Sequence, residues 1–205
     1  KKGEITIEVT TYRSEKYDPN SRNPEVNFGD SIDGDLSRRD FTVNALALEL
    51  TTEKPEFIDL FNGVEDLAKK VLRAPLDPDV LFSDDPLRMM RACRFVAQLG
   101  FTVDPLVIDS MKRMVDRIEI ISAERVRDEL TKLLMSDNPR LGLALMVDTG
   151  LAARVLPEIP QLKLEVDEHH HHKDVYEHTL TVLEQAIALE NRLGGKNLTI
   201  RLAAL

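Results

Sequence analysis

RRDFTVNA, at residues 38–45, is the stretch on which the reading of this chain turns. Arg38, Arg39 and Asp40 stand at a turn and run into an apolar stretch, Val43 to Leu50, that reads as a strand. Guanidinium forks grip phosphate oxygens bidentately, and a carboxylate accepts a sugar hydroxyl. The triplet therefore suits phosphate and ribose recognition. Taken alone, such a cluster is more often a solvated surface ion group.

Upstream, Ile5, Ile7 and Val9 alternate with Thr6, Glu8 and Thr10, so residues 4–13 read as a half-buried strand. Residues 14–37 carry Pro19, Asn20, Pro24, Gly29 and Gly34 and read as a loop or mobile flap. Residues 42–50 form a second strand and Phe57 to Leu60 a short third. The turn Asn62–Gly63 follows, with Gly63 expected at positive φ. Residues 64–71 read as a short helix. Residues 73–86, rich in Pro and Asp, read as a crossing between domains.

Beyond the crossing the pattern is helical, near 84–99, 104–117, 122–136, 138–149 and 173–191. Ser83 is the expected N-cap of the first of these, with Asp84 and Asp85 in a first turn that favours negative charge. Ser122 and Asp137 are expected to cap later helices, and Gly100 and Gly150 to stop two of them. A small sheet followed by a run of helices predicts an α+β chain of two or three units.

The chain has 205 residues, 42% hydrophobic and 31% charged, which is enough apolar material for a real core. Its net charge of -9 argues, at face value, against a nucleic-acid binder, because phosphate contacts need Lys and Arg. The distribution of charge matters more than the total. Cys93 is the lone cysteine, which rules out an intramolecular disulfide and fits a reducing cytoplasm. No apolar run is long enough to span a bilayer. Both ends read as cut from a longer chain. The first strand begins at once, and Leu198 to Leu205 is helix without a stop signal.

At about 100° per residue, Asp84, Arg88 and Arg91 share one stripe of the 84–99 helix, with Asp85 at its edge. Met89, Met90, Cys93, Val96 and Ala97 face the other way. Phe95 falls on the charged side. The stripe reads either as a salt-bridged helix surface or as a recognition face.

Three further stretches join the octapeptide: IDLFNGVEDL (58–67), SDDPLRMMRACRF (83–95) and ERVRDEL (124–130). In this order and spacing they resemble the class II tRNA nucleotidyltransferases, a family that covers CCA-adding enzymes and bacterial poly(A) polymerases. The resemblance implies a partial polymerase-β-like palm over residues 1–75. A helical neck with a nucleotide-recognition helix would follow over 76–160, and the start of an HD-type helical domain over 161–205. It implies Mg2+ as cofactor and tRNA, ATP and CTP as partners. The oligomeric state is not legible.

Residue by residue, Arg39 and Asp40 match the positions that hold the incoming triphosphate and ribose, with Arg38 beside them. Asn44 matches a hydrogen-bonding residue that shapes the site. Asp59, Gly63 and Asp66 match a motif that links palm and neck, although Asp66 reads equally as a helix first-turn residue. Asp85 and Arg88 match the pair that reads the base, with Asp84 and Arg91 on the same stripe. Asp84 stands where the family usually has Glu. The chemistry of the pair is definite. Cytosine and adenine present an amino donor beside a ring-nitrogen acceptor, which a carboxylate and a guanidinium satisfy. Guanine and uracil present a carbonyl and an N–H, leaving both side chains unmatched at about 1–3 kcal/mol each.

One departure stands out. Two-metal nucleotidyl transfer needs paired carboxylates, which the family carries as Asp–x–Asp on a strand. Asp33–Gly34–Asp35 and Asp77–Pro78–Asp79 read as decoys, one in a loop and one holding a Pro that a central strand excludes. The family's pair is expected upstream of Lys1. Glu8, on the polar face of the first strand, matches a third acidic position and reads equally as an exposed strand residue. His178 would be the first ligand of an HD-type metal site, and His169 to His172 read as a native solvated loop. The rivals are a poly(A) polymerase, an enzyme adding only CC or only A, an HD-type metal-dependent phosphohydrolase, and a non-catalytic RNA- or nucleotide-binding fragment.

Overall fold

The computed structural model describes residues 11–16, 25–28, 31–51, 53–164, 175–192 and 194–205. Glu8, most of the first expected strand and His169 to His172 lie outside the described residues.

The stretch expected to be loop contains regular structure. Strands β1 (Arg13–Lys16) and β2 (Glu25–Phe28) pair antiparallel, Arg13 opposite Phe28. Helix α1 (Ile32–Ser37) follows, capped by Ser31, whose side chain accepts from the Gly34 N–H at 3.2 Å. Residues 42–50 are not one strand. Thr42–Asn44 is a 3-10 turn, and β3 covers only Leu46–Glu49. The cause is tertiary. The Thr42 N–H donates to Arg73 O at 2.9 Å and its hydroxyl to Asp66 at 2.7 Å, which draws the chain out of an extended path. Strand β4 (Glu56–Asp59) pairs with β3, Leu46 opposite Asp59.

Helix α2 (Gly63–Lys69) starts under Asp59, which accepts from the Gly63 N–H at 2.7 Å and the Val64 N–H at 3.0 Å. Burial opposes ionisation of Asp59. Hydrogen bonds from the N–H groups of Val64, Gly63, Phe61 and Asn62 outweigh it and hold the carboxyl below its ordinary range. The positive φ expected of Gly63 falls instead on Asn62, at 60°. Gly63 is needed for a different reason. A Cβ there would lie 2.2 Å from Thr42 O, so only glycine lets α2 approach the 3-10 turn this closely.

The crossing holds a helix of its own. In α3 (Pro78–Asp84), Asp77 caps by accepting from the Asp79 N–H at 2.9 Å, and Pro78 sits in the first turn. The chain then breaks at Asp85, which is extended (φ -140°, ψ 97°), before α4 (Leu87–Leu99) begins. The reason is Pro86, since a residue preceding proline is disfavoured in the α region. Ser83 therefore caps nothing at α4, Asp84 ends the preceding helix, and the single charged stripe from Asp84 to Arg91 does not exist.

Short β5 (Val71–Leu72) pairs in parallel with β6 (Thr102–Val103). Beyond them run α5 (Pro105–Met114), a 3-10 segment Val115–Ile120, α6 (Ala123–Leu134) and α7 (Pro139–Asp148). Short α8 (Ala152–Val155) and α9 (Glu158–Gln161) lead to α10 (Val175–Leu189) and α11 (Leu198–Ala203). Gly100 and Gly150 do end helices, at φ 66° and 81°. Ser122 stands at the N-cap position of α6 but makes no side-chain capping bond. Asn138, not Asp137, is the N-cap of α7, and Asp137 pairs with Lys196 at 2.6 Å.

Helix α4 is the hub. Its Met89, Met90, Ala92, Cys93 and Ala97 are fully buried, and it packs mainly against α7 and α6. Burying each Met contributes about 1.5–3 kcal/mol. Gly142 of α7 sits so close that a Cβ would lie 2.6 Å from Cys93 O. Burial pushes the Cys93 thiol far above its ordinary pKa, leaving it a packing residue. The core is continuous across the residue 75 boundary, since Phe41 and Leu72 join the same buried cluster as Met89 and Leu133. This shared core fixes the RRD segment against α4.

Candidate functional site

A cleft of about 570 Å³ opens where the RRD segment meets α4 and α6. Seven of the predicted residues line it: Arg38, Arg39, Asp40, Asn44, Asp85, Arg88 and Arg91. Arg94, Phe95 and Arg125 complete its polar and aromatic wall. Six arginines thus face two carboxylates. An acidic chain has concentrated positive charge in one concavity, the field an anionic phosphate ligand requires.

Asp35 organises the arginine pair. It is buried and accepts from both Arg38 and, at 2.8 Å, Arg39. The Asp–Gly–Asp read as a loop decoy therefore contributes a positioning residue, because α1 places Asp35 three and four residues before the two arginines. The i, i+3 and i, i+4 spacing was the available signal. Once 31–37 is read as loop, that spacing carries no meaning.

Asp40 is almost wholly buried, and all its acceptor sites are filled from within the protein. Its Oδ1 accepts from the Phe41 N–H at 2.9 Å and from Asn44 Nδ2 at 3.0 Å. Its Oδ2 accepts from Arg91 Nε at 2.8 Å and Nη2 at 2.5 Å. An ionised carboxylate offers about four lone-pair sites, so none is left here for a ribose hydroxyl. In this conformation Asp40 positions Arg91 and Asn44. Arg91 and Arg94 lie 5.4 and 4.3 Å from the ring centre of Phe95, which meets Phe41 edge-on at 5.9 Å. Phe95 thus supports two arginines by cation–π contact.

Arg88 is a buried part of the cleft wall, and its guanidinium donates to Leu81 O at 3.3 Å and Arg38 O at 2.5 Å. It ties the RRD backbone to the α3–α4 junction. Five N–H groups leave it donors beyond these two. Asp85 Oδ1 accepts from the Leu87 N–H at 3.1 Å, and its Oδ2 from Arg125 at 3.0 Å. Asp84 is not among the residues lining the cleft.

Asp59, Gly63 and Asp66 stand outside the cleft and serve the scaffold. Asp66 is fully buried, holding the Thr42 hydroxyl and lying 3.0 Å from Arg73. It stands in the first turn of α2, and both of these partners lie within residues 1–75. Glu129, also buried, joins α6 to α4 through Arg94 at 2.7 Å. His178 is exposed on α10. Among the described residues no group of three or more His, Cys, Asp or Glu could hold a metal ion, so His178 has no companion ligands there. No helix among them is long and apolar enough to cross a membrane.

Two family models match the chain. "Poly A polymerase head domain" covers residues 1–73 and "Probable RNA and SrmB- binding site of polymerase A" covers 100–162. The CCA-adding enzyme of Limosilactobacillus reuteri is 46% identical over 145 residues, 70% of this chain and 35% of its own length. That of Streptococcus pneumoniae is 45% identical over 148 residues, 72% and 36% respectively. Among solved structures, the Bacillus stearothermophilus CCA-adding enzyme in complex with CTP superposes with TM-score 0.67 at 29% identity. It covers 95% of this chain and 46% of that one. The Thermotoga maritima CCA-adding enzyme complexed with tRNA gives 0.66 at 27% identity, covering 84% and 40%. The chain spans about a third of the length of the curated relatives it matches.

Proposed function

Since the chain belongs to the family of class II tRNA nucleotidyltransferases and bacterial poly(A) polymerases, we propose that it forms the nucleotide-selecting part of a CCA-adding enzyme. Such an enzyme transfers CMP and AMP from CTP and ATP to the 3′ end of tRNA without a template. The observation that supports this reading is the cleft, in which the RRD arginines and the Asp85–Arg88 pair converge. Arg38 and Arg39 would take the triphosphate. Asp85 Oδ2 would accept the base amino group, and a remaining N–H of Arg88 would donate to the ring nitrogen. Asp40 would act through Arg91.

The residues matched by the RNA-binding model, 100–162, include α5 to α9 and would meet the tRNA. We assign 1–75 to the palm, 76–160 to the neck and 161–205 to the start of a helical body. A cytoplasmic setting is proposed from the single buried cysteine. Nucleotidyltransferases of this kind depend on a divalent metal, and Mg2+ is the ion proposed. The described residues do not fit it. Asp40 is occupied by Arg91, Asp35 by Arg38 and Arg39, and no acidic group of three exists among them.

A second reading, poly(A) polymerase, is favoured by the wording of both family models. One experiment separates them. The complete protein is incubated with labelled CTP and ATP, Mg2+ and a tRNA lacking its 3′ end. CCA addition is expected. A homopolymeric A tail would favour the second reading, and phosphate release without extension would overturn both.

A further inference from the structure

One arginine of the cleft has no role in the account above. Arg125, in the first turn of α6, donates to Asp85 Oδ2 at 3.0 Å across 40 residues of sequence. Asp85 Oδ1 is meanwhile held by the Leu87 N–H at 3.1 Å. Each carboxylate oxygen therefore has its own donor, one from the backbone and one from a cation. The Asp85 side chain is 17% exposed and that of Arg125 51%, so the pair sits at the cleft edge with its inner member shielded.

We propose that Arg125 is a specificity-determining positioning residue that acts through Asp85 to set which bases the cleft accepts. The proposal rests on the reading of Asp85 and Arg88 as the base-reading pair. Two physical arguments carry it. The first is orientation. With both oxygens anchored, the carboxylate plane cannot rotate, and the lone pair that remains on Oδ2 has a fixed direction for an amino group. With the Leu87 N–H as sole anchor, the carboxylate turns and the direction is lost.

The second argument is mutual occupation. A guanidinium is a donor only. The base edges to be rejected, those of uracil and guanine, present a carbonyl at the position where cytosine and adenine present an amine. While Arg125 donates to Asp85, that donor is occupied. If Asp85 is removed, the same N–H stands unpartnered beside the base position and suits a carbonyl. Asp85 and Arg125 should therefore behave as one unit with non-additive substitutions.

The test uses the complete enzyme and a tRNA lacking its 3′ end, with kcat/KM measured for each of the four nucleotides. Arg125→Ala should reduce the preference for CTP over UTP about tenfold, the range expected for a hydrogen bond to a charged group. Arg125→Lys should restore part of it. Asp85→Ala should lower CTP use and raise UTP use relative to it, and Asp85→Ala with Arg125→Ala should lose the relative UTP gain. A purely structural tie between α6 and the α3–α4 junction would lower thermal stability in both single variants without moving the nucleotide ratios. If Asp85→Ala shifts the ratios while Arg125→Ala leaves them within about twofold, the role of Arg125 is overturned and the base-reading pair stands. If Asp85→Ala leaves them unmoved, the base-reading pair fails and this inference falls with it.

Discussion

Asp40→Asn is the sharpest perturbation of the site. The carboxylate is 6% exposed and meets two donors on each oxygen, Phe41 and Asn44 on one and Arg91 twice on the other. An asparagine of the same shape must turn its NH2 toward one of these donor pairs. Either rotamer loses two hydrogen bonds and buries a donor against donors. A hydrogen bond involving a charged group contributes about 1.5–3 kcal/mol, and an unsatisfied buried group costs about 1–3 kcal/mol. Arg91 is 34% exposed, so water recovers part of what it loses. The net expectation is a destabilisation of about 2–3 kcal/mol. For a chain of this size each kcal/mol shifts Tm by about 2–4 °C, so a fall of roughly 5–10 °C should appear by calorimetry. Nucleotide affinity should fall with it, because Arg91 no longer has a fixed place over Phe95. A Tm within about 1 °C of the parent would refute the claim that Asp40 organises this wall.

Gly63→Ala should destabilise the β3–α2 region by about 1–3 kcal/mol, since its Cβ would meet the Thr42 carbonyl at 2.2 Å; denaturant unfolding checks this, and a neutral result would show that the 3-10 turn yields. Arg201 is fully buried, and its bonds to Glu190 hold that carboxyl below its ordinary pKa of 4.5. A depressed carboxyl pKa means that the stabilisation is present above about pH 4.5 and lost as pH falls through the folded value. The acid limb of a Tm–pH profile should therefore flatten in Glu190→Gln, and an unchanged limb would contradict the pairing. The 205-residue chain by itself should add nucleotide to tRNA at least roughly a thousandfold more slowly than the complete enzyme. Both Asp–x–Asp triplets of its sequence lie in helical settings, one clamped on arginines and the other at the start of α3; single-turnover assay at high enzyme concentration decides it.

The reading from sequence reached the helices of the second half, because their apolar period is local. It placed 104–117, 122–136 and 138–149 against α5 to α7 with boundaries shifted by a few residues. It also picked seven of the residues that line the cleft. It ran α4 backward through Asp84 and Asp85 although Pro86 was in plain view, and a residue before proline is pushed from the helical region. Asp77–Pro78 likewise marked the start of α3. Other misses had no local signal. Nothing near Thr42 announces that Arg73 and Asp66 will pull it into a 3-10 turn. Arg88 bonds a carbonyl 50 residues away, and Arg125 faces a carboxylate 40 residues away. Pairings at that separation are set by how α3, α4 and α6 pack, and no spacing rule contains them.

Arg88 carries the central claim, that this cleft chooses cytidine and adenosine triphosphates by reading the base edge. The direct measurement is the incorporation rate of each of the four nucleotides by Arg88→Ala in the complete enzyme, alongside its thermal stability. The account predicts that CTP and ATP use both fall by about tenfold or more, and that rejection of UTP and GTP relaxes. CTP and ATP rates equal to those of the parent enzyme, with UTP and GTP still excluded, would contradict it.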